Sequence, residues 1–147
     1  MKIITANAAH RAVWRDLRHQ LWPENTVEEL GAEIDAALAT DKQTAFLAFD
    51  DKDRAVGFVE ASLRFDHVNG CEGSPVAFLE GIFVVAGCRR QGVARALIAA
   101  FEEWAREKGV REMASDANIG NVVSHAMHEA LGFTETERVV YFRKPIA

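Results

Sequence analysis

Cysteine is scarce in this chain, with only Cys71 and Cys88 among 147 residues. Two cysteines make no disulfide framework, and no metal-ligand spacing surrounds them. No apolar run approaches the roughly 20 residues that cross a bilayer. The stretch Met1-Lys2-Ile3-Ile4-Thr5-Ala6-Asn7 lacks the apolar core of a secretory signal. Together these absences predict a cytoplasmic protein with no metal and no membrane partner. An excess of positive charge is also missing. Lysine and arginine number 17 against 22 aspartates and glutamates, a net charge of −5. That balance argues against general nucleic-acid binding and is compatible with a cationic partner. No Gly-x-Gly-x-x-Gly follows the first predicted strand, which leaves a Rossmann-type nucleotide module little support. Low-complexity tracts, repeats and linkers are absent as well, so one domain over residues 1–147 is expected.

What is present is a pattern that switches period along the chain. Ile3–Ala6 reads as a short strand. Ala8–Leu21 reads as a helix with Val13, Leu17 and Leu21 on one stripe, stopped by Pro23. Thr26-Val27-Glu28-Glu29 is a capping box that opens a second helix with the stripe Val27, Leu30, Ile34 and Leu38. Thr44–Asp50, Val56–Arg64 and Val76–Val85 read as strands. Gly92–Lys108 is a helix with Val93, Leu97, Phe101 and Trp104 inward, ended by Gly109. Arg111–Asp116 reads as a short strand, Val122–Leu131 as a helix and Glu135–Lys144 as a last strand. The order predicts a mixed α/β domain, a central mixed sheet flanked by helices.

The loop between the strand ending at Val85 and the helix starting at Gly92 carries the clearest chemistry. Free backbone N–H groups and the positive end of a helix dipole converge there, which suits a pyrophosphate. The segment Arg89-Arg90-Gln91-Gly92-Val93-Ala94 fits the pattern Arg/Gln-x-x-Gly-x-Gly/Ala. With the element order, it resembles the GNAT superfamily, the Gcn5-related N-acetyltransferases, which bind acetyl-CoA. The resemblance implies that Arg90, Gln91, Gly92, Val93, Ala94 and Arg95 wrap the CoA pyrophosphate. The same residues, read without it, are a helix start with exposed arginines.

Upstream, Glu80-Gly81 interrupts an apolar strand. Alternation puts Val76, Phe78, Glu80 and Ile82 on one face. A carboxylate in such a row is costly unless paired or at a cleft, and Gly81 suggests a bulge or a close backbone approach. The resemblance implies that this strand splays from its neighbour, and that Ile82, Phe83 and Val84 contact the acetyl-pantetheine arm. A backbone N–H near Ile82 would then polarise the thioester carbonyl. Glu80 would face the substrate amine. The competing reading is a structural carboxylate bound to a nearby arginine.

In the last helix, Asn121, Ser124, His125 and His128 form one stripe, and Val123, Met127, Ala130 and Leu131 the apolar one. The resemblance implies that Asn121 contacts CoA. It also places His128 where these enzymes often carry a tyrosine that protonates the leaving thiolate. The only tyrosine here is Tyr141, in the predicted last strand. His128 is therefore a candidate acid or a plain surface histidine, and a thiolate is a good leaving group without help.

Several longer segments narrow the resemblance. They include Leu21-Trp22-Pro23, His67-Val68-Asn69-Gly70-Cys71, Pro75–Val84, Arg111–Asp116 and Leu131–Val139. They are similar, nearly end to end, to the aminoglycoside 6′-N-acetyltransferases. This implies that Trp22, His67, Glu80, Asp116 and Glu137 line a pocket for a polycationic amino sugar, and it implies a homodimer. Carboxylates would hold the ammonium groups and Trp22 would offer a flat wall. Read singly, Asp116 could be a helix N-cap, Glu137 an exposed strand residue and Trp22 a core residue. Cys71 and Cys88 have no evident base partner, which favours direct transfer over an acyl-cysteine. Two other functions fit the cofactor loop: acetylation of another amine, such as a polyamine, peptide or metabolite, and an acyl-CoA sensor without turnover.

Overall fold

The computed structural model describes all residues, Met1–Ala147. Five strands form one sheet in the order β1-β2-β3-β4-β5: Lys2–Thr5, Gln43–Phe49, Ala55–Arg64, Val76–Val84 and Met113–Ala114. The first four are antiparallel to their neighbours, and β5 runs parallel to β4. The four helices are α1 (Arg11–Leu21), α2 (Val27–Leu38), α3 (Val93–Glu107) and α4 (Val122–Ala130). This is the mixed α/β sheet that the period changes predict.

The two sheet faces bury separate cores. On one face Trp14 and Leu17 of α1 and Ile34 of α2 cover Ala45, Leu47 and Phe58. On the other, Val93, Leu97, Ile98 and Phe101 of α3 cover Val59, Ala61, Ala77 and Leu79. Phe58 and Phe101 are fully enclosed, and truncating either to alanine removes a contribution of about 3–5 kcal/mol. The Thr26 capping box forms as read: its hydroxyl accepts from the Glu29 N–H at 3.1 Å, and the Glu29 carboxylate accepts from the Thr26 N–H at 3.4 Å.

Five expectations need correction. Residues 8–10 form a 3-10 turn before α1, because Asn7 and His10 make their own capping box there. The buried stripe of α1 is Trp14, Leu17 and Arg18, while Val13 is exposed. The strand read over Arg111–Asp116 is reduced to Met113–Ala114. The strand read over Glu135–Lys144 does not form, since no strand of this chain pairs with it; Val140, Tyr141 and Phe142 stand 77%, 84% and 93% exposed. The apolar stripe of α4 is also thinner than its pattern suggests. Val123 faces out, and no α4 residue is fully buried.

Candidate active site

The β3–β4 ladder slips at Glu80. Ala61 pairs with Leu79 and Glu60 with Gly81, so Glu80 is an extra residue with no partner. A bulge of this kind reverses the facing of everything beyond it. Val76, Phe78 and Glu80 share a face, as alternation predicts, but Ile82 does not. Ile82 turns to the α3 core and Gly81 to the α1 side. The Glu80 carboxylate accepts from the Ser62 hydroxyl at 2.5 Å and from Arg64 at 3.0, 3.1 and 3.2 Å. Arg64 also lies 3.4 Å over the Phe78 ring. The arginine partner of the competing reading is thus present, on a half-exposed carboxylate.

Beside the bulge, β4 has an open edge. β5 pairs only with Ala77 and Phe78, which leaves Leu79–Val84 uncovered on that side. The Val85 N–H bonds to Val56 on β3. Antiparallel pairing alternates along the strand, so the N–H groups of Val84 and Ile82 point to the uncovered edge. The strand pair therefore splays where a cleft is expected, with Ile82 on it.

Trp22 follows the last turn of α1 and is half-buried. Its ring reaches over the bulge: a Cβ added to Gly81 would stand 2.6 and 2.8 Å from two ring carbons. The Arg18 guanidinium lies 5.0 Å from the ring centroid, and Phe58 meets it edge-on at 6.1 Å. Trp22 is therefore anchored in the α1 core, with its ring against the bulge.

The start of α3 has the construction that an anion site needs. Gly92 is its N-cap with φ +82°, and no side chain caps the helix. The Val93, Ala94 and Arg95 N–H groups have no acceptor in the chain, and the space at a Gly92 Cβ is open. Arg90 takes φ +62° and is exposed. Gln91 donates weakly to Gly87 at 3.4 Å, Arg89 donates to the Val84 carbonyl at 2.8 Å, and Arg95 donates to the Ala130 carbonyl at 3.2 Å, tying α3 to the end of α4.

Asn121 is the N-cap of α4, its side-chain oxygen accepting from the Ser124 N–H at 3.1 Å. That assigns the cap to Asn121 and excludes Asp116 from it. His128 is wired on both ring nitrogens. Nδ1 lies 2.7 Å from the Ser124 carbonyl and Nε2 2.7 Å from the Ser115 hydroxyl. A carbonyl only accepts, so in the neutral ring Nδ1 carries the hydrogen and Nε2 accepts from Ser115. Neutral His128 therefore has no spare N–H.

An open groove of about 1440 Å³ lies between the β3–β4 loop, the stretch after β5, α4 and the segment beyond it. His67, Asp116, His128 and Glu137 all line it, as do Arg64 and Phe78. Trp22, Glu80, Ile82–Val84, Arg90–Arg95 and Asn121 do not. Glu80 meets the groove through Arg64. The walls hold seven aspartates and glutamates against three arginines, so the groove favours a cation. Glu112 is occupied by the Glu72 and Gly73 N–H groups, and Glu135 by Arg138. Asp116 and Glu137 carry no such partner. Gly70, at φ +82°, has the Thr136 side chain where its Cβ would be, which seats the segment after α4 against the loop. Cys71 also lines the groove; burial and the nearby Glu112 charge push its thiol pKa up. No group of ligating residues could hold a metal.

A profile described as the Acetyltransferase (GNAT) family matches residues 10–133. The chain belongs to the GNAT acetyltransferase family. Among its GNAT relatives, an aminoglycoside N(6')-acetyltransferase type 1 of Salmonella enteritidis is 49% identical over 144 residues, covering 98% of this chain and 99% of the relative. The protein of that name from Serratia marcescens is 50% identical over 133 residues, covering 90% and 91%. Among solved structures, AAC(6')-Iy in complex with the bisubstrate analog CoA-S-monomethyl-acetylneamine matches with a TM-score of 0.94 at 48% identity, covering 99% of this chain and 98% of that one. The 6'-N-acetyltransferase AAC(6')-IG of Acinetobacter haemolyticus matches with 0.95 at 46%, covering both chains fully.

Sequence reasoning missed Ser62, Arg64 and Ser115, the partners of Glu80 and His128. Ser62 and Arg64 were visible as an alternating pair, but their register against Glu80 depends on a bulge that spacing does not encode.

Proposed function

We propose that this chain is an aminoglycoside 6′-N-acetyltransferase, a single domain over residues 1–147 that moves an acetyl group from acetyl-CoA to a 6′-amine and confers resistance. The observation that carries this reading is the acidic groove beside the Glu80 bulge: the groove suits a polycation, and Arg64 joins the two. The relatives that match nearly end to end are named for that activity.

The residues present fit the donor. The unpaired N–H groups at the start of α3, with Arg90, Gln91 and Gly92, suit a pyrophosphate. Val93, Ala94 and Arg95 complete that turn, and Asn121 at the start of α4 is a further CoA contact in this reading. Ile82, Phe83 and Val84 line the open edge of β4 for the pantetheine arm. Acetyl-CoA supplies the acetyl thioester when bound.

Transfer is direct. Asp116, Glu137 and Glu80 hold the cationic acceptor, and Trp22 and His67 supply apolar and aromatic walls. Glu80 takes the amine proton, through water, so that the nitrogen lone pair is free. The Ile82 N–H stabilises charge on the carbonyl oxygen. As the C–N bond forms and the thioester C–S bond breaks, the Ser115 hydroxyl gives its proton to the departing thiolate, and a His128 imidazolium replaces that proton through Nε2. The raised thiol pKa of Cys71 fits a bystander.

The reading includes a homodimer. Its support is the uncovered apolar run Val140-Tyr141-Phe142, with Ile146 beyond it. It also places the enzyme in the cytoplasm, which suits its two free cysteines.

The test is CoA release from acetyl-CoA with kanamycin, spermidine and a peptide amine as acceptors, with the product position read by NMR. Kanamycin acetylated at its 6′-amine is the expected result. Preference for spermidine or peptide would assign a different acceptor, and tight CoA binding without any acetylation would leave only a sensor.

A further inference from the structure

We propose that the buried ion pair Arg18–Glu60 is the positioning device for Trp22, and so sets the wall of the acceptor site. The inference rests on Trp22 being part of that site. Arg18 is 6% exposed, in an interface that is otherwise apolar. An ion pair there is weak evidence for stability, since well-packed apolar residues do as well or better. Its geometry gives it another use.

Glu60 stands opposite Gly81 in the β3–β4 ladder, at the bulge itself. Its two oxygens take Arg18 Nε at 2.6 Å and Nη2 at 3.2 Å, a bidentate grip that fixes the guanidinium plane. Trp14 Nε1 donates to the same carboxylate at 2.8 Å, and Arg18 Nη1 donates to the Leu30 carbonyl at 3.0 Å. Glu33 adds a carboxylate 3.6 Å from Nη2. Burial opposes the charge on Arg18, but its bonds to Glu60 and the Glu33 charge more than offset this and keep the pKa above its usual value.

The guanidinium so fixed lies 5.0 Å from the centroid of the Trp22 ring, four residues on and just past the end of α1. The ring edge then rests on Gly81. A path of direct contacts therefore runs from β3 through Glu60, Arg18 and Trp22 to the bulge of β4. Phe58 also touches the ring, but an apolar edge contact sets no plane. Lysine would keep the charge but lose the bidentate bond to Glu60, because an ammonium is a point charge without the planar fork.

The test compares Trp22→Ala, Arg18→Lys, the double variant Arg18→Met/Glu60→Gln and the triple combination. The double variant leaves no lone buried charge and keeps an acceptor for Trp14. Expected are a rise of about tenfold in KM for kanamycin in both Trp22→Ala and the double variant, with KM for acetyl-CoA within about twofold. Arg18→Lys falls between wild type and the double variant. The triple variant is no worse than Trp22→Ala alone, since the pair acts through the ring. A lowered melting temperature with both KM values unchanged in the double variant overturns the proposal and makes the pair merely structural. An unchanged kanamycin KM in Trp22→Ala overturns the reading of Trp22, and the inference falls with it. A wild type that acetylates no aminoglycoside is a separate failure, of the proposed function.

Discussion

The ring of Trp22 occupies the place where a side chain on Gly81 would begin. This makes Gly81 a space requirement. An added Cβ meets two ring carbons inside 3 Å, and a ring wedged against Phe58 and Arg18 must move as a whole. Gly81→Ala is expected to cost about 1–3 kcal/mol of stability, the usual cost of overpacking. It should also raise KM for kanamycin more than KM for acetyl-CoA. Thermal unfolding and steady-state kinetics measure the two effects.

Glu80 has two readings that one substitution separates. Glu80→Gln keeps the shape and can still accept from Ser62 and Arg64, so the fold survives. If the carboxylate takes the amine proton, turnover falls about 100-fold or more, while calorimetry finds acetyl-CoA binding nearly unchanged. Unchanged turnover would reduce Glu80 to an anchor for Arg64.

Most of the sheet, the helices and the glycine turn before α3 were legible because each has a local cause. Thr26 and Glu29 cap each other across one turn, and Gly92 takes the left-handed conformation that the loop needs. What depended on contacts far apart in sequence was not legible. The face of Ile82 was misread because one unpaired residue, Glu80, reverses the alternation. Val139–Phe142 have the composition of a strand, but composition does not supply a pairing partner, and no strand of this chain pairs with them. Trp22 and Gly81 were each singled out, yet their contact depends on how α1 lies across β4. The burial of Arg18 has no local sign either, because nothing near it in sequence marks a partner 42 positions away.

The start of α3 can be tested by charge. Gly92→Asp puts a carboxylate where an anion is expected to bind. Aspartate tolerates the left-handed region better than most residues, but at φ +82° it still carries strain, so a modest loss of stability is expected beside the binding effect. Acetyl-CoA binding, measured by calorimetry, is expected to weaken at least tenfold. Unchanged affinity would remove this turn from the donor site.

Cys71 lines the groove, but burial first, and then the Glu112 charge, raise its thiol pKa. A raised pKa keeps the thiol protonated at neutral pH, and the reactive thiolate appears only as pH climbs. Alkylation by iodoacetamide should therefore be slower at pH 7 than for a free thiol and should accelerate into the alkaline range. Cys71→Ser should retain most activity. Loss of turnover in that variant would instead favour an acyl-cysteine intermediate.

Asp116 and Glu137 face the groove with no cation of their own, whereas Glu135 is paired with Arg138. Two unpaired carboxylates on one groove attract a polycation from solvent, and their pull is screened by salt over roughly 10 Å at 0.1 M. Asp116→Asn and Glu137→Gln should each raise KM for kanamycin about three- to tenfold, the scale of one partly exposed charge pair. The double variant should flatten the salt dependence of that KM, and Glu135→Gln, whose charge is already matched, should change it least. A KM that rises equally in all three variants would mean that the groove senses net charge alone, without a seat for the substrate ammonium groups at Asp116 and Glu137.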